Sequence, residues 1–394
     1  MQLPKYYEFY SPVKIVAGNK ALENIPHELK LLQSKRPIII SDKGIEKAGL
    51  LENVIRGFDD SETVIGAVYT DTPVDSSIHA VNEIAALYRK EKCDSIIAVG
   101  GGSVIDTAKG VNIVVTEEAT DIVKYSGADR LSKPQKPLMI IPTTAGTGSE
   151  VTSVAVISDP DKNLKMPFAS QFLLPKVALL DPRMTISLPP RITAATGMDA
   201  MTHAVEAYTC IQKNPVSDAY ATAAIRLISE NLYKMVTDGN DEKGRFAMAN
   251  ASLMAGMAFS NSMVGAVHAL GHAVGGIAHV PHGVAMSILL PRVMEYNMDK
   301  LSDLYAELLL PLVGEEVFVA TPKEKRAVKS VAKLYEMINV LKQLCGHPTT
   351  LSEAGVTEDQ LEKIAKMSIN DGALINNPKE VELNDAMDIL KKAF

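Results

Sequence analysis

Cysteine is scarce in this 394-residue chain: Cys93, Cys210 and Cys345 are far apart and odd in number. They form no C-x-x-C pair, which argues against a disulfide framework and for free thiols in a reducing compartment. No basic run is present and the formal net charge is −7, so nonspecific nucleic-acid binding is not expected. No window reaches about 18 uninterrupted apolar residues, the length a membrane-spanning helix requires. The N-terminal stretch MQLPKYYEFYSPVK lacks the apolar segment of a signal peptide. These absences lead to the expectation of a cytoplasmic protein that partners neither nucleic acid nor membrane.

What is present fits a globular protein, with 46% hydrophobic and 22% charged residues. The length suits two domains or one large one. In the first half, short β-branched runs alternate with amphipathic stretches. PIIISD (37–42), TVIGAVYTD (63–71), CDSIIAVGGGS (93–103) and PLMIIPTT (137–144) read as strands. Helices are predicted over 44–57 and 77–91, and VAVIS (154–158) and VALLD (177–181) read as further strands or a hairpin. Such alternation predicts a mostly parallel sheet covered on both faces. After DPRMTISLPPR (181–191) the strand signals largely stop and helical patterns run on to Phe394. The expected organisation is an α/β domain over 1–185 and an all-α domain over 186–394.

Five of the eight histidines fall in two nearly uncharged segments, GMDAMTHAVEAY and GAVHALGHAVGGIAHVPHG. Asp199 and His203 are four residues apart on a predicted helix, so their Cβ atoms lie about 5–6 Å apart on one face. His268 and His272 repeat that spacing on a second helix, and His282 follows in P-H-G, which reads as a turn. A carboxylate with imidazoles suits Fe(II), Zn(II), Co(II), Ni(II) or Mn(II) and suits Ca(II) poorly. Such an Asp–His pair is often a local contact, and a lone histidine on an apolar face is often a hydrogen-bonded core residue. Here few charges surround the group, and a buried aspartate needs a partner to remain ionised. Spacing alone leaves five histidines and one aspartate as nearly equivalent candidates.

Gly100, Gly101, Gly102 and Ser103 follow the strand SIIAV and precede a predicted helix. Glycine at such a turn lets the backbone approach an anion, and the helix N-terminus supplies free N–H groups. The pattern is neither G-x-G-x-x-G nor a Walker A loop. A second hydroxyl-rich loop, PTTAGTGSEVT (142–152), follows the next strand, and adjacent loops at the carboxyl ends of parallel strands are where open α/β sheets bind nucleotides. Asp42, at the end of an earlier strand, suits either a ribose contact that disfavours a 2′-phosphate or a helix N-cap.

GGGSVIDTAK (100–109), PTTAGTGSE (142–150), GMDAMTHAVEAY (197–208) and HALGHAVGGIAHVPHG (268–283) together resemble the iron-containing (group III) alcohol dehydrogenases, in order and in spacing, over nearly the whole chain. The resemblance implies a Rossmann-like dinucleotide-binding domain, an all-helical domain, and a cleft holding NAD and metal. It implies Asp199, His203, His268 and His282 as ligands of Fe(2+), or of Zn(2+), with a position left for substrate. His272 would lie near nicotinamide and substrate as a proton relay, since imidazoles titrate near neutrality. Gly101, Gly102 and Ser103 would meet the pyrophosphate, Thr143, Thr144 and Thr147 the cofactor, and Asp42 the adenosine ribose. Phe259 matches an aromatic beside the active-site channel. The implied reaction is reversible oxidation of a primary alcohol or small diol to an aldehyde by NAD, in a homodimer or higher homo-oligomer. Two departures stand out: Pro73-Val74-Asp75-Ser76 replaces the family's P-N-P-T, and Ala278-His279 replaces Tyr-Asn, leaving His279 as an extra imidazole expected outside the metal's ligand set. A glycerol dehydrogenase-type enzyme is disfavoured by the full ligand set. A dehydroquinate-synthase-like lyase is disfavoured by the lack of Lys and Arg between Gly197 and Cys210 and between Ser260 and His282.

Overall fold

The computed structural model describes residues 4–59, 61–162 and 164–394. The described residues divide into two compact units: Ser11–Ser187, and Leu188–Phe394 together with residues 4–10.

The first unit runs β1 (Lys14–Ala17), α1 (Ile25–Leu31), β2 (Pro37–Ile40), α2 (Lys43–Lys47), α3 (Leu50–Arg56), β3 (Ala67–Tyr69), α4 (Ile78–Lys90), β4 (Ser95–Gly100), α5 (Gly102–Thr116), β5 (Gly127–Ala128), β6 (Leu138–Pro142), β7 (Val154–Asp159), β8 (Leu164–Ala169) and β9 (Val177–Leu180). Six strands form a wholly parallel sheet in the order β1-β9-β6-β4-β2-β3. Its strands are apolar on both sides because both faces are covered. Ile38, Ile40, Ile96, Ala98, Leu138 and Ile140 pack into one core with α4 and α5. The intervening Ile39, Ile97, Val99, Met139 and Ile141 pack into a second core with α1 and α3. β7 and β8 form an antiparallel hairpin, extended by β5 into a separate small sheet.

The sheet order reverses at its centre. The chain leaves β2 for β3 on one side, while β4 leads through β6 to β9 on the other. The loops after β2 and β4 therefore flank a topological switch point, the usual crevice for a nucleotide in such sheets.

Two predicted elements differ in detail. The helix expected over 44–57 is two helices, because Gly49 turns left-handed (φ +71°) between them. The strand expected over 63–71 pairs only along Ala67–Tyr69, opposite Ile38–Ile40 at the sheet edge. Against α5, the fully buried Lys109 ammonium donates to the carbonyls of Ser149, Thr152 and Val154 at 2.8–2.9 Å and to the Thr152 hydroxyl at 3.0 Å. This knits the loop after β6 onto the helix that starts at Gly102.

The second unit comprises α6 (Pro190–Thr209), α7 (Pro215–Thr237), α8 (Glu242–Ser262), α9 (Ala266–Ala278), α10 (His282–Val313), α11 (Glu315–Ala320), α12 (Arg326–Cys345), α13 (Leu361–Ser368) and α14 (Leu383–Ala393). Sequence signals mark the helix ends: an Asn214–Ser217 capping box with Pro215 opens α7, and left-handed Gly346 closes α12. P-H-G is not a turn. Pro281 takes an extended conformation, its carbonyl accepts from Val284 and Ala285, and His282 begins α10. Close packing places the helices that matter: a Cβ at Gly283 would lie 2.3 Å from the Ala195 carbonyl oxygen, and one at Gly271 would lie 1.9 Å from Met286 Cε. The N-terminal residues pack on this unit, with the Phe9 ring stacked on Tyr220 at 5.8 Å and the Tyr10 amide donating to Asn261 Oδ1 at 2.7 Å. Among the described residues no single helix is long and apolar enough to cross a membrane.

Candidate active site

In the helical unit, Asp199 and His203 project from α6, His268 from α9, and His282 from the first turn of α10. One ligand atom from each of the four lies within 4.8 Å of the others. His282 Nε2 is 3.3 Å from Asp199 Oδ1. The His203 and His268 rings stack at 4.6 Å, and Phe259 closes the other face of His203 at 4.3 Å.

Asp199, His203 and His268 are buried and His282 is exposed. Burial alone would raise the Asp199 carboxyl. The surrounding His203 and His282 imidazoles outweigh it and leave Asp199 far below the usual carboxylate range. Burial pushes His203 down to about 3, against the pull of Asp199, and pushes His268 well below its ordinary value. Burial thus holds His203 and His268 neutral beside one carboxylate, and with His282 the group offers the donor set of a divalent transition metal. Two of its atoms, Asp199 Oδ1 and His268 Nε2, are buried without a hydrogen-bond partner. Buried polar atoms left unpartnered are costly, and a cation between them would resolve both. The residues fit a metal.

Two carboxylates escaped the sequence reading. Glu206, on α6, is hydrogen-bonded to His268 Nδ1 and accepts the Val267 amide at 2.7 Å. Burial pushes its carboxyl up to about 7, and the Val267 and Gly265 amides pull the other way, as would a cation in the cluster. The signal for it was a lone carboxylate in the apolar stretch HAVEAY. Asp371 takes His272 Nδ1 at 2.9 Å and also caps the following turn through the Ala373 amide at 2.8 Å. It lies 99 residues from His272, so no local pattern links them. His272 stands beside the cluster, its ring stacked on His282 at 5.6 Å, and is not among the four gathered ligands. His279 caps α9 in a left-handed conformation (φ 55°) and is likewise outside the group.

In the α/β unit, Gly101 caps α5 with no side-chain hydrogen bond at its N-terminus. The two glycine- and threonine-bearing loops touch: a Cβ on Gly101 would lie 3.2 Å from Thr144 Cγ2, and one on Gly102 would lie 3.1 Å from Thr147 Cγ2. A Cβ at either position would have to push the facing threonine back by a few tenths of an ångström, so glycine there keeps the loops close and the α5 amides open to an anion. Thr143 Oγ1 is buried without a partner, and Thr147 Oγ1 accepts from Ser149 N at 3.2 Å. These features fit a dinucleotide pyrophosphate. The Ser103 hydroxyl differs from expectation: it donates to the Val74 carbonyl within the variant Pro73–Ser76 stretch. Its contribution to an anion is therefore left to its backbone N–H. Asp42 caps α2, with Oδ1 accepting from Ile45 N at 2.9 Å, so a ribose contact would fall to its other oxygen.

Comparison with known proteins agrees along the whole chain. The profile of iron-containing alcohol dehydrogenases matches residues 12–182, and that of the Fe-containing alcohol dehydrogenase family, C-terminal, matches residues 193–394. The chain is 34% identical to the NAD-dependent methanol dehydrogenase of Bacillus methanolicus, covering 98% of this chain and 99% of that one. It is 36% identical to the 1,3-propanediol dehydrogenase of Klebsiella pneumoniae, covering 99% of each. The crystal structure of a 1,3-propanediol oxidoreductase superposes with a TM-score of 0.94 at 34% identity, covering 99% of this chain and 100% of that one.

Proposed function

The chain belongs to the iron-containing alcohol dehydrogenase family, and from that premise we propose how its residues divide the work of NAD-dependent oxidation of a primary alcohol or small diol. Asp199, His203, His268 and His282 hold the iron. The observation that carries this assignment is the pair of orphaned buried atoms, Asp199 Oδ1 and His268 Nε2, within a group of four ligand atoms all inside 4.8 Å of one another. When bound, iron supplies Lewis acidity at the alcohol oxygen and NAD supplies the hydride acceptor.

The protein's own part is placement and proton handling. Asp199 contributes the negative charge, and burial keeps the His203 and His268 imidazoles neutral. Phe259 shields His203 from water. The α5 amides with Gly101, Gly102 and Ser103 take the pyrophosphate, with Thr143, Thr144 and Thr147 along the cofactor and Asp42 at the ribose. Asp371 accepts from His272 Nδ1, which leaves Nε2 with a lone pair able to take the hydroxyl proton. A reducing cytoplasm is supported by three free cysteines. A homo-oligomeric state rests on the family resemblance and is checked by light scattering.

The test is NADH formation, followed by its near-ultraviolet absorbance, with anaerobically iron-loaded protein and a series of primary alcohols and diols. Wild type turns over. His272→Ala lowers kcat by about 10²–10⁴-fold at unchanged iron content. No NADH from any alcohol would overturn the substrate class, and an unaltered kcat would remove His272 from the proton path.

A further inference from the structure

Glu206 lies three residues beyond His203 on α6, with its side chain only 6% exposed. Its two oxygens face two donors on the start of α9. Oε1 accepts the Val267 amide at 2.7 Å, and Oε2 is hydrogen-bonded to His268 Nδ1. Gly265 makes the approach possible, since a Cβ there would lie 3.2 Å from Glu206 Oε1 and 3.1 Å from Asn377 Oδ1. Asn377 Oδ1 in turn accepts from the Ala266 amide at 3.4 Å and from Asn297 Nδ2 at 3.0 Å. The first turn of α9 is therefore gripped from two sides. On the far edge of the same imidazole, Nε2 is the orphaned atom directed into the cluster.

We propose that Glu206 is a positioning residue that selects the His268 tautomer protonated on Nδ1, so that Nε2 offers its lone pair to the metal, and that it thereby sets the affinity of the site. The proposal rests on the ligand set given under Proposed function. The chemistry is that of satisfiable partners. In its ionised form, which the Val267 and Gly265 amides favour, Glu206 only accepts, and one of its two donors is a backbone N–H that cannot change role. With a lone pair on Nδ1, two acceptors would oppose each other in a buried space, which is unfavourable. Glutamine cannot reproduce the arrangement. Its one acceptor goes to the Val267 amide, so its NH₂ faces Nδ1, which must then accept. The ring proton moves to Nε2 and blocks the metal.

The experiment titrates metal-free wild type, Glu206→Gln and His268→Asn with Co(II) against a competing chelator, following the cobalt d–d bands. Circular dichroism checks the fold. Glu206→Gln weakens Kd about 10–100-fold, the usual effect of losing such a partner. A long-range proton–nitrogen spectrum of histidine-labelled apoprotein reads the tautomer, with the His268 signal identified by its loss in His268→Asn. Wild type shows the proton on Nδ1 and Glu206→Gln shows it on Nε2. Equal Kd in wild type and Glu206→Gln, or an Nε2 proton in wild type, overturns the proposal. Should Glu206→Gln not fold, the wild-type tautomer decides alone. If His268→Asn binds cobalt as tightly as wild type, the ligand assignment fails instead, and the two failures are told apart.

Discussion

At the scale of single residues, buried histidines divide by what they face. His347 is 2% exposed, its Nε2 is 2.7 Å from Ser287 Oγ, and burial lowers its pKa from 6.5 to about 4. As pH falls through that window the unfolded chain takes a proton that the folded chain refuses, so acid favours unfolding. A His347→Asn variant lacks this term. The stability advantage of wild type over it should shrink by up to about 1.4 kcal/mol per pH unit below about pH 6.5. Urea denaturation of both proteins near neutrality and in mild acid checks this, and a constant gap would contradict it. The metal cluster shows how far residue spacing reads. His268 and His272 are equivalent by the four-residue rule, because that rule says which side of a helix they share and not where each ring nitrogen points. Each has a carboxylate on Nδ1, Glu206 for one and Asp371 for the other, but His268 is buried among the four gathered ligands while His272 stands half-exposed beside them. One of those partners lies 99 residues away, beyond any local pattern.

At the scale of elements, the centre depends on how closely helices approach. His282 reaches Asp199 because Gly283 lets the first turn of α10 rest on the Ala195 backbone. Alanine at 283 would put its Cβ 2.3 Å from that carbonyl oxygen, and backbone cannot swing aside as a side chain can. Gly283→Ala should lose about 1–3 kcal/mol through overpacking and bind metal more weakly. Gly275→Ala on α9 meets only Val280 O, at 3.5 Å, and should gain about 0.4–1 kcal/mol from a less flexible unfolded chain. Melting temperatures and metal content of the pair check the contrast, and a loss in both would refute it. Element boundaries were legible where apolar runs were bounded by buried pairing, as in β2, β4 and β6. They were not legible where pairing itself set the length. β3 stops at Tyr69 because its neighbour β2 stops at Ile40. The P-H-G stretch read as a turn because proline and glycine flank the histidine, yet proline just before the first turn is also how a helix begins.

At the scale of the whole molecule, the order of strands alternating with helices, then helices alone, was enough to foresee the architecture. The sheet order and its switch point, which single out the loops after β2 and β4, emerged only from pairing. A metal held by the proposed ligands would contribute to the stability of the fold as well as to its chemistry. Without a cation, Asp199 Oδ1 and His268 Nε2 are buried polar atoms left without a hydrogen-bond partner. Metal at a hundredfold excess over Kd adds about 2.7 kcal/mol, so chelation should lower the melting temperature by roughly 5–10 °C. Followed by helical circular dichroism, Asp199→Asn should melt at nearly the same temperature with and without chelator. A wild type indifferent to chelation would refute the coupling.

The N-terminal aromatic segment belongs with α7 and α8 of the helical unit, and this has a consequence for how the protein is made. Tyr10 and its partner Asn261 are 251 positions apart. At about 5–20 residues per second of synthesis, roughly 10–50 s separate their appearance at the ribosome. The α/β unit between them can fold from what has already been translated. The aromatic segment Tyr6–Tyr10 must wait for α7 and α8, so the helical unit closes late, and the part of it translated first is docked only after those helices exist.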